Sequence, residues 1–327
     1  MKKMKAIVVR QYGGPEVMNL EELPVPKPDD DELLIRVHAC GVNPADWQIR
    51  SGKRHKLQKP FSYIPGFDFS GVVEATGTDV LGFKVGDAVY GFGDGWGYGK
   101  GSYAEYLVCK SNAISYKPKS LDFVQSAALP VVTCTAWPAL FDVGHLSQDQ
   151  SILIHGAAGG VGHVAVQLAK WKGAYVIGTA SGYNESFLKE IGVDLFINYR
   201  TSKFEDVVQD VDVVLDSIVR DAQDEIDSVA ANTLTRSFRV LRKGGILVCL
   251  CANPSKEMAA EYGVRAERAD LKLDTERLAK IAEVVDAGFV MPHIHEVFSL
   301  ADVGHAHTLS QEGHISGKVV LQIGASI

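Results

Sequence analysis

The sequence predicts an α/β protein: an open, doubly wound parallel sheet together with a separate β-rich unit. Three observations predict it. Ser151–Lys170 runs as strand, glycine turn and helix. Strand-like and helix-like segments alternate after it, as in a parallel sheet with helical crossovers. The first third holds short strand-like runs separated by Gly/Pro turns, the pattern of a barrel-like unit. A chain of 327 residues fits two domains.

The central stretch is the most informative. Ile152, Leu153 and Ile154 form an apolar run suited to a buried strand. Four glycines follow within Gly156–Gly162, and then Val161, Val164, Ala165 and Leu168 recur at helical spacing. Such a turn offers a pair of phosphates the unpaired N–H groups and the positive dipole end of a helix. The backbone at Ala158, Gly159, Gly160, Val161 and Gly162 is therefore the candidate dinucleotide site. A Cβ at Gly159 or Gly160 would block the phosphates, and Gly162 lets the helix pack closely on its strand. The run departs from G-x-G-x-x-G at Ala157. A glycine turn without a ligand is the other reading.

The remaining elements follow in order. Residues 5–10, 33–39, 71–76, 87–92 and 102–108 read as strands, divided by Gly13-Gly14-Pro15, Pro24–Pro28 and Asp29–Asp31. Gly91–Gly101 has six glycines in eleven residues, a surface loop or a lid. Ala174–Thr179, Val211–Asp216 and Gly245–Cys251 read as later strands. At their carboxyl ends Asp216, Ser217, Leu250 and Cys251 are either contacts to a ribose and nicotinamide or plain loop residues. A helix over Thr275–Ala287, capped by Thr275, a helix start at Leu300–His307 and a strand over Lys318–Ile323 complete the chain.

Composition excludes several functions. A formal charge of −7 leaves no basic footprint for nucleic acid. No apolar run approaches the roughly 18 residues of a membrane span, and Ala6–Val9 is too short for a signal sequence. A cytoplasmic protein is expected. The five cysteines form no C-x-x-C pair, and their odd number argues against a disulfide framework. Cys249 and Cys251 are expected to be buried on one strand face. His293/His295 and His305/His307 lack partners at ligand spacing and read as solvated or capping residues.

Gly156–Lys170, Gly41-Val42-Asn43-Pro44-Ala45-Asp46, Pro65–Gly71, Val85–Val89 and Gly317–Leu321 together resemble the medium-chain dehydrogenase/reductase superfamily, and within it the zinc-free, zeta-crystallin-like quinone oxidoreductases. The resemblance implies a GroES-like substrate domain over 1–124, a Rossmann-type NADP-binding domain over 125–270 and a returning segment over 271–327. In the alcohol dehydrogenase branch, Cys, His and Cys hold a catalytic zinc. The matching positions here are Asn43, Phe67 and approximately Val131, none of them a zinc ligand. Cys40 and Cys134 lie nearby but offset, and residues 92–108 contain no Cys for a structural zinc. No metal is expected.

Without a Lewis acid, hydride transfer suits an acceptor that delocalises charge, a quinone or an α,β-unsaturated carbonyl. Asn43 and Tyr63 are the catalytic candidates. Trp47 and Phe67 are candidates for pocket walls, core packing being the alternative for the aromatics. The strand ending at Thr179 continues Ala180-Ser181-Gly182-Tyr183-Asn184, with no acid where an NAD site has one. Ser181 and Tyr199 match family positions that contact a 2′-phosphate, and Arg200 adds charge. A lysine frequent beside that serine is replaced by Gly182-Tyr183. NADPH is the expected cofactor. Thr133, His314, Ile315 and Ser316 are further cofactor candidates, and a homodimer through a sheet edge is expected. An enoyl or alkenal reductase, and a non-catalytic NADPH-binding protein, are the alternatives.

Overall fold

A computed structural model describes residues 2–54, 61–93, 100–218 and 229–324. Most of the Gly91–Gly101 loop, and with it the lid reading, lies outside the described residues.

In chain order the strands are β1 (Lys3–Val9), β2 (Met18–Pro24), β3 (Glu32–Val42), β4 (Asp68–Thr76), β5 (Ala88–Phe92), β6 (Tyr106–Lys110), β7 (Ile114–Tyr116), β8 (Ser151–His155), β9 (Tyr175–Ala180), β10 (Leu195–Asn198), β11 (Val211–Asp216), β12 (Leu241–Cys249), β13 (Arg265–Arg268), β14 (Ile294–Ser299) and β15 (Lys318–Gln322). The helices are α1 (Pro44–Arg50), α2 (Phe123–Ala127), α3 (Pro130–Trp137), α4 (Gly160–Trp171), α5 (Glu185–Glu190), α6 (Val229–Ser237), α7 (Lys256–Tyr262), α8 (Thr275–Asp286) and α9 (Val303–Glu312). They divide into two units. The first comprises Met1–Val131, Leu273–Gly288 and Pro292–Ile327; the second comprises Val132–Lys272 and Phe289–Met291.

The first unit is β-rich. Its main sheet runs β14-β15-β3-β4-β5-β7, with β6 also on β3, and β1 pairs with β2 separately. β3 is the spine, because its apolar residues enter two cores: Leu33, Ile35 and Val37 join Ile7, Phe69 and Val89 in one, and Leu34 joins Met4, Ala104 and Tyr106 in another. The last strand lies antiparallel against the end of β3, Val319 opposite Val42 and Leu321 opposite Cys40. This register brings Lys318 to the end of β3, where Asn43 begins α1.

The second unit is a parallel sheet ordered β10-β9-β8-β11-β12-β13. Strand order reverses direction between β8 and β11, the switch point outside which ligands of such sheets bind. Leu153, Ile177, Val214 and Leu247 supply successive strands of one core. Its apolar strands are read correctly from the sequence, but β10 and β13 are not. β13, Arg-Ala-Glu-Arg, is a mostly exposed edge strand with no apolar period to betray it.

Three local expectations need correction. β12 ends at Cys249, so Cys249 is buried whereas Cys251 lies beyond the strand and is exposed. α8 is capped by Asp274, whose Oδ1 accepts from the Glu276 and Arg277 N–H groups, and Thr275 is already its first residue. His307 is neither solvated nor capping; it is fully buried on α9.

Candidate functional site

The glycine turn joins β8 to α4. Gly156 adopts φ +69°, the left-handed region that glycine enters without strain. It makes the tight turn one residue before the expected position, which explains why Ala157 is tolerated there. Ala157 is instead buried, and its N–H donates to the Thr179 carbonyl of β9. Gly159 is the N-cap of α4. A Cβ on it meets only the Gly156 carbonyl, at 3.3 Å, so its outer side is open. A Cβ on Gly162 lies 2.1 Å from that same carbonyl and 2.8 Å from Ala157 Cα. Gly162 is thus required by packing of the helix on the turn. Space before the helix N-terminus, with N–H groups that have no carbonyl one turn back, fits a pyrophosphate.

Beside the turn, β9 and β10 run parallel with Ala180 opposite Asn198. Their carboxyl ends bring three of the expected residues together. Ser181 Oγ lies 2.9 Å from the Tyr199 hydroxyl. The Ser181 hydroxyl and the Arg200 guanidinium hold the Tyr199 phenol below its ordinary range, against a smaller effect of burial. A Cβ on Gly182 falls 2.8 Å from Asn198 Nδ2, so a side chain at 182 would require that amide to move.

The other expected cofactor residues are more dispersed. Asp216 is buried at the end of β11, its Oδ1 accepting from the Ile218 N–H. The Ser217 hydroxyl donates to the His155 carbonyl at 2.7 Å. Leu250 N–H donates to the Asp216 carbonyl. Asp216, Ser217, Leu250 and Cys251 thus mark the carboxyl ends of β11 and β12. Thr133 is fully buried in α3. His314, Ile315 and Ser316 belong to the first unit, between α9 and β15, and His314 adopts φ +61°.

In the first unit, Asn43 leads a buried polar group assembled from distant segments. Pro44 follows it at the first position of α1, and Asp46 Oδ2 reaches back to accept from the Asn43 backbone N–H at 2.7 Å, a capping box. The Asn43 side chain donates through Nδ2 to Asp68 Oδ2 at 2.9 Å. Its Oδ1 accepts from Lys318 Nζ at 2.6 Å. Lys318 also donates to the Val42 carbonyl and to Asp68 Oδ2, and Asp68 Oδ1 accepts from the Val131 N–H. Burial pushes the Asp68 carboxyl upward, and Lys318 and Asn43 pull it back.

A second chain of bonds leaves Asp46. Its Oδ2 also accepts from the Tyr103 hydroxyl at 3.1 Å, which in turn lies 3.2 Å from His307 Nε2. His307 Nδ1 is 3.3 Å from Arg50 Nη1. Arg50 has no acceptor to offer, so Nδ1 accepts and Nε2–H donates to Tyr103. Burial and the Arg50 charge push His307 down to about 3, and burial pushes Asp46 up to about 7. Asp46, Asp68, Tyr103 and Lys318 were not assigned roles from the sequence, and His307 was read as solvated or capping. Only Asp46, three residues after Asn43, carried a local signal, that of the capping box.

The aromatic candidates divide. Phe67 and Tyr63 sit in an apolar cluster with Val9, Val17 and Ile49. Phe67 is core. Among the described residues the buried Tyr63 hydroxyl and Trp47 Nε1 have no hydrogen-bond partner, so both keep a donor that those residues do not use. Burial raises the Tyr63 phenol, and the Asp46 charge adds to it.

Comparison with known proteins follows the same outline. Residues 29–119 match the alcohol dehydrogenase GroES-like domain, and residues 191–321 match the family described as zinc-binding dehydrogenase. A quinone oxidoreductase of Sus scrofa is 33% identical over 98% of this chain and 98% of its own. A 2-methylene-furan-3-one reductase of Solanum lycopersicum is 34% identical over 98% of this chain and 79% of its own. The structure of the quinone oxidoreductase from Coxiella burnetii superposes with a TM-score of 0.88 at 34% identity, covering 99% of this chain and 100% of that one.

Proposed function

The chain belongs to the medium-chain dehydrogenase/reductase superfamily, among its quinone oxidoreductases, and from that premise we propose that it uses NADPH, without a metal, to reduce a quinone or a related enone. It is an NAD(P)H-dependent oxidoreductase; the phosphorylated cofactor, the acceptor and the absence of metal are the proposal. The observation that carries the cofactor choice is the Ser181–Tyr199–Arg200 group at the tips of β9 and β10, with no carboxylate among its three members. Two hydroxyls and a guanidinium suit a 2′-phosphate, and a carboxylate would repel it.

The donor set at the positions matched to a catalytic zinc does not fit one. Asn43 is an amide bonded to Asp68 and Lys318, Phe67 is a hydrocarbon ring buried in an apolar cluster, and the Val131 side chain is aliphatic, its backbone N–H going to Asp68. Among the described residues no three His, Cys, Asp or Glu side chains gather for a metal. The two cysteines near these positions do not supply the lack: Cys40 is buried with its thiol on the Ser102 carbonyl, and Cys134 is buried.

NADPH, when bound, supplies the hydride. The turn at Gly156–Gly162 holds the pyrophosphate, and Ser181, Tyr199 and Arg200 hold the 2′-phosphate. Asn43 offers an N–H to the acceptor oxygen as charge builds there. Tyr63 and Trp47 donate to acceptor groups that penetrate their cluster. The raised Tyr63 phenol is a weak acid, so the proton that completes the hydroquinone comes from solvent.

Five free cysteines, four of them buried, suit a reducing, cytoplasmic compartment. Among the described residues no helix is long and apolar enough to cross a membrane. The edge strand β13 suits pairing with a second copy, a homodimer that sedimentation velocity would read as twice the 35.4 kDa chain mass.

The test is anaerobic oxidation of NADPH and of NADH with 1,4-benzoquinone and with an enal, each with and without a chelator. Faster quinone turnover with NADPH, unaffected by chelator, is expected. Loss of activity with chelator, or preference for NADH, would overturn the corresponding part. The tomato relative favours a second reading, reduction of an enone carbon–carbon double bond. Solvent deuterium appearing at carbon in the product would select it.

A further inference from the structure

Asn43 has two amide hydrogens and two oxygen lone pairs, and its surroundings use them unevenly. Lys318 Nζ can only donate, so the amide oxygen must face it, and Nδ2 must face the Asp68 carboxylate. The flip of the amide is thereby fixed. Lys318 then spends its three protons on Asn43 Oδ1, the Val42 carbonyl and Asp68 Oδ2. Asp68 accepts from Asn43, Lys318 and the Val131 N–H. Lys318, Asp68 and Asn43 are each at most 3% exposed. Among the described residues one donor in this group lacks a partner, the second N–H of Asn43.

We propose that Lys318 and Asp68 are positioning residues that act through Asn43, orienting its amide so that the remaining Nδ2–H meets the oxygen of the acceptor. Lys318 does more than orient. An ammonium 2.6 Å from Oδ1 draws electron density from the amide, and hydrogen bonds in series strengthen one another at low dielectric. The Nδ2–H becomes a stronger donor to a developing oxyanion than an ordinary amide, and its benefit falls on the transition state, where the charge is largest. The strand register accounts for the arrangement: β15 against β3 sets Val319 opposite Val42, which brings Lys318, one residue earlier, level with Asn43, one residue later. This inference rests on the reading that Asn43 meets the acceptor.

The experiment is a double-mutant cycle on the full chain with NADPH and 1,4-benzoquinone. Asn43→Ala is expected to lower kcat by about a hundredfold to a thousandfold, the scale for a lost oxyanion donor, and Lys318→Met, which weakens that donor, by a smaller part of the same loss, both with KM for NADPH within about twofold of wild type. Adding Lys318→Met to Asn43→Ala is expected to cost nothing further in kcat, since the residue through which it acts is gone. Lys318→Arg is expected to recover part of the loss. Lys318→Met leaves Asp68 buried without its cation, so Lys318→Met with Asp68→Asn keeps the measurement usable if the single variant fails to fold; its kcat is expected to stay low. Independent, multiplicative losses in the double mutant, or unchanged kcat in Lys318→Met, would overturn the inference alone. Wild-type protein that leaves 1,4-benzoquinone unreduced would overturn the reading beneath it.

Discussion

The turn of the second unit and the Asn43 group of the first solve similar problems in opposite ways. On the proposed function, both present N–H donors to an electron-rich partner. The turn makes its site from consecutive backbone, within the seven residues Gly156–Gly162. The Asn43 group makes its site from side chains on β3–α1, β4, α9 and β15, with Lys318 275 residues from Asn43. A backbone site is bounded by space and tolerates almost no side chain. A side-chain site is bounded by charge and tolerates shape changes better than loss of a partner. Substitutions in the two should therefore fail differently.

The largest effect belongs to the turn. Gly162→Val places a Cβ where a carbonyl oxygen already stands 2.1 Å away, and neither atom is the end of a flexible side chain. Backbone must move, at a cost of about 3 kcal/mol or more for overpacking of this kind. Isothermal titration should find NADPH binding abolished, and thermal melting should show a clear loss of stability. Tight NADPH binding by this variant would break the account of the turn as spatially constrained.

The Asn43 side should instead reveal itself through pH. Asp46 is pushed up to about 7 and His307 down to about 3, and one hydroxyl, that of Tyr103, separates them. Between about pH 4.5 and 6, folded Asp46 holds a proton that the unfolded chain has lost, so its contribution to stability falls as pH rises. Over the same interval the unfolded chain protonates His307 whereas the folded one does not, so that contribution rises with pH. The two slopes are opposite and nearly cancel. Asp46→Asn leaves the His307 slope, so its stability should gain about 1.4 kcal/mol per pH unit relative to wild type. His307→Gln should lose a similar amount per pH unit. Urea midpoints at pH 4.5, 5.25 and 6 would measure both, and parallel curves for all three proteins would show that neither group titrates differently on folding.

The same contrast decides what was legible in the sequence. The turn was legible because its residues are adjacent and its glycines have a local reason. The apolar strands β8, β9, β11 and β15 were legible for a similar reason, each being a short apolar run. β13 was not, because an edge strand of charged residues buries too little to set a period. Lys318 was visible as part of a recurring motif, but nothing local reveals that β15 returns to β3 and delivers an ammonium to Asn43. His307 was misread because a histidine buried through contacts with Arg50 and Tyr103, 257 and 204 residues away, leaves no trace at i±4.

The smallest effect tests the one departure of the turn from its expected pattern. If Gly156 makes the tight turn, Ala157 has no conformational task, and its methyl serves packing. It is fully buried, near Gly178 of β9. Ala157→Gly restores the usual motif letter for letter, yet it removes a buried methyl and adds freedom to the unfolded chain. Together these should cost about 1 kcal/mol, seen as a lower melting temperature, while NADPH affinity stays within about twofold, under 0.5 kcal/mol. A marked gain in affinity would mean that the phosphates need glycine at 157 itself, and that Gly156 does not do its work.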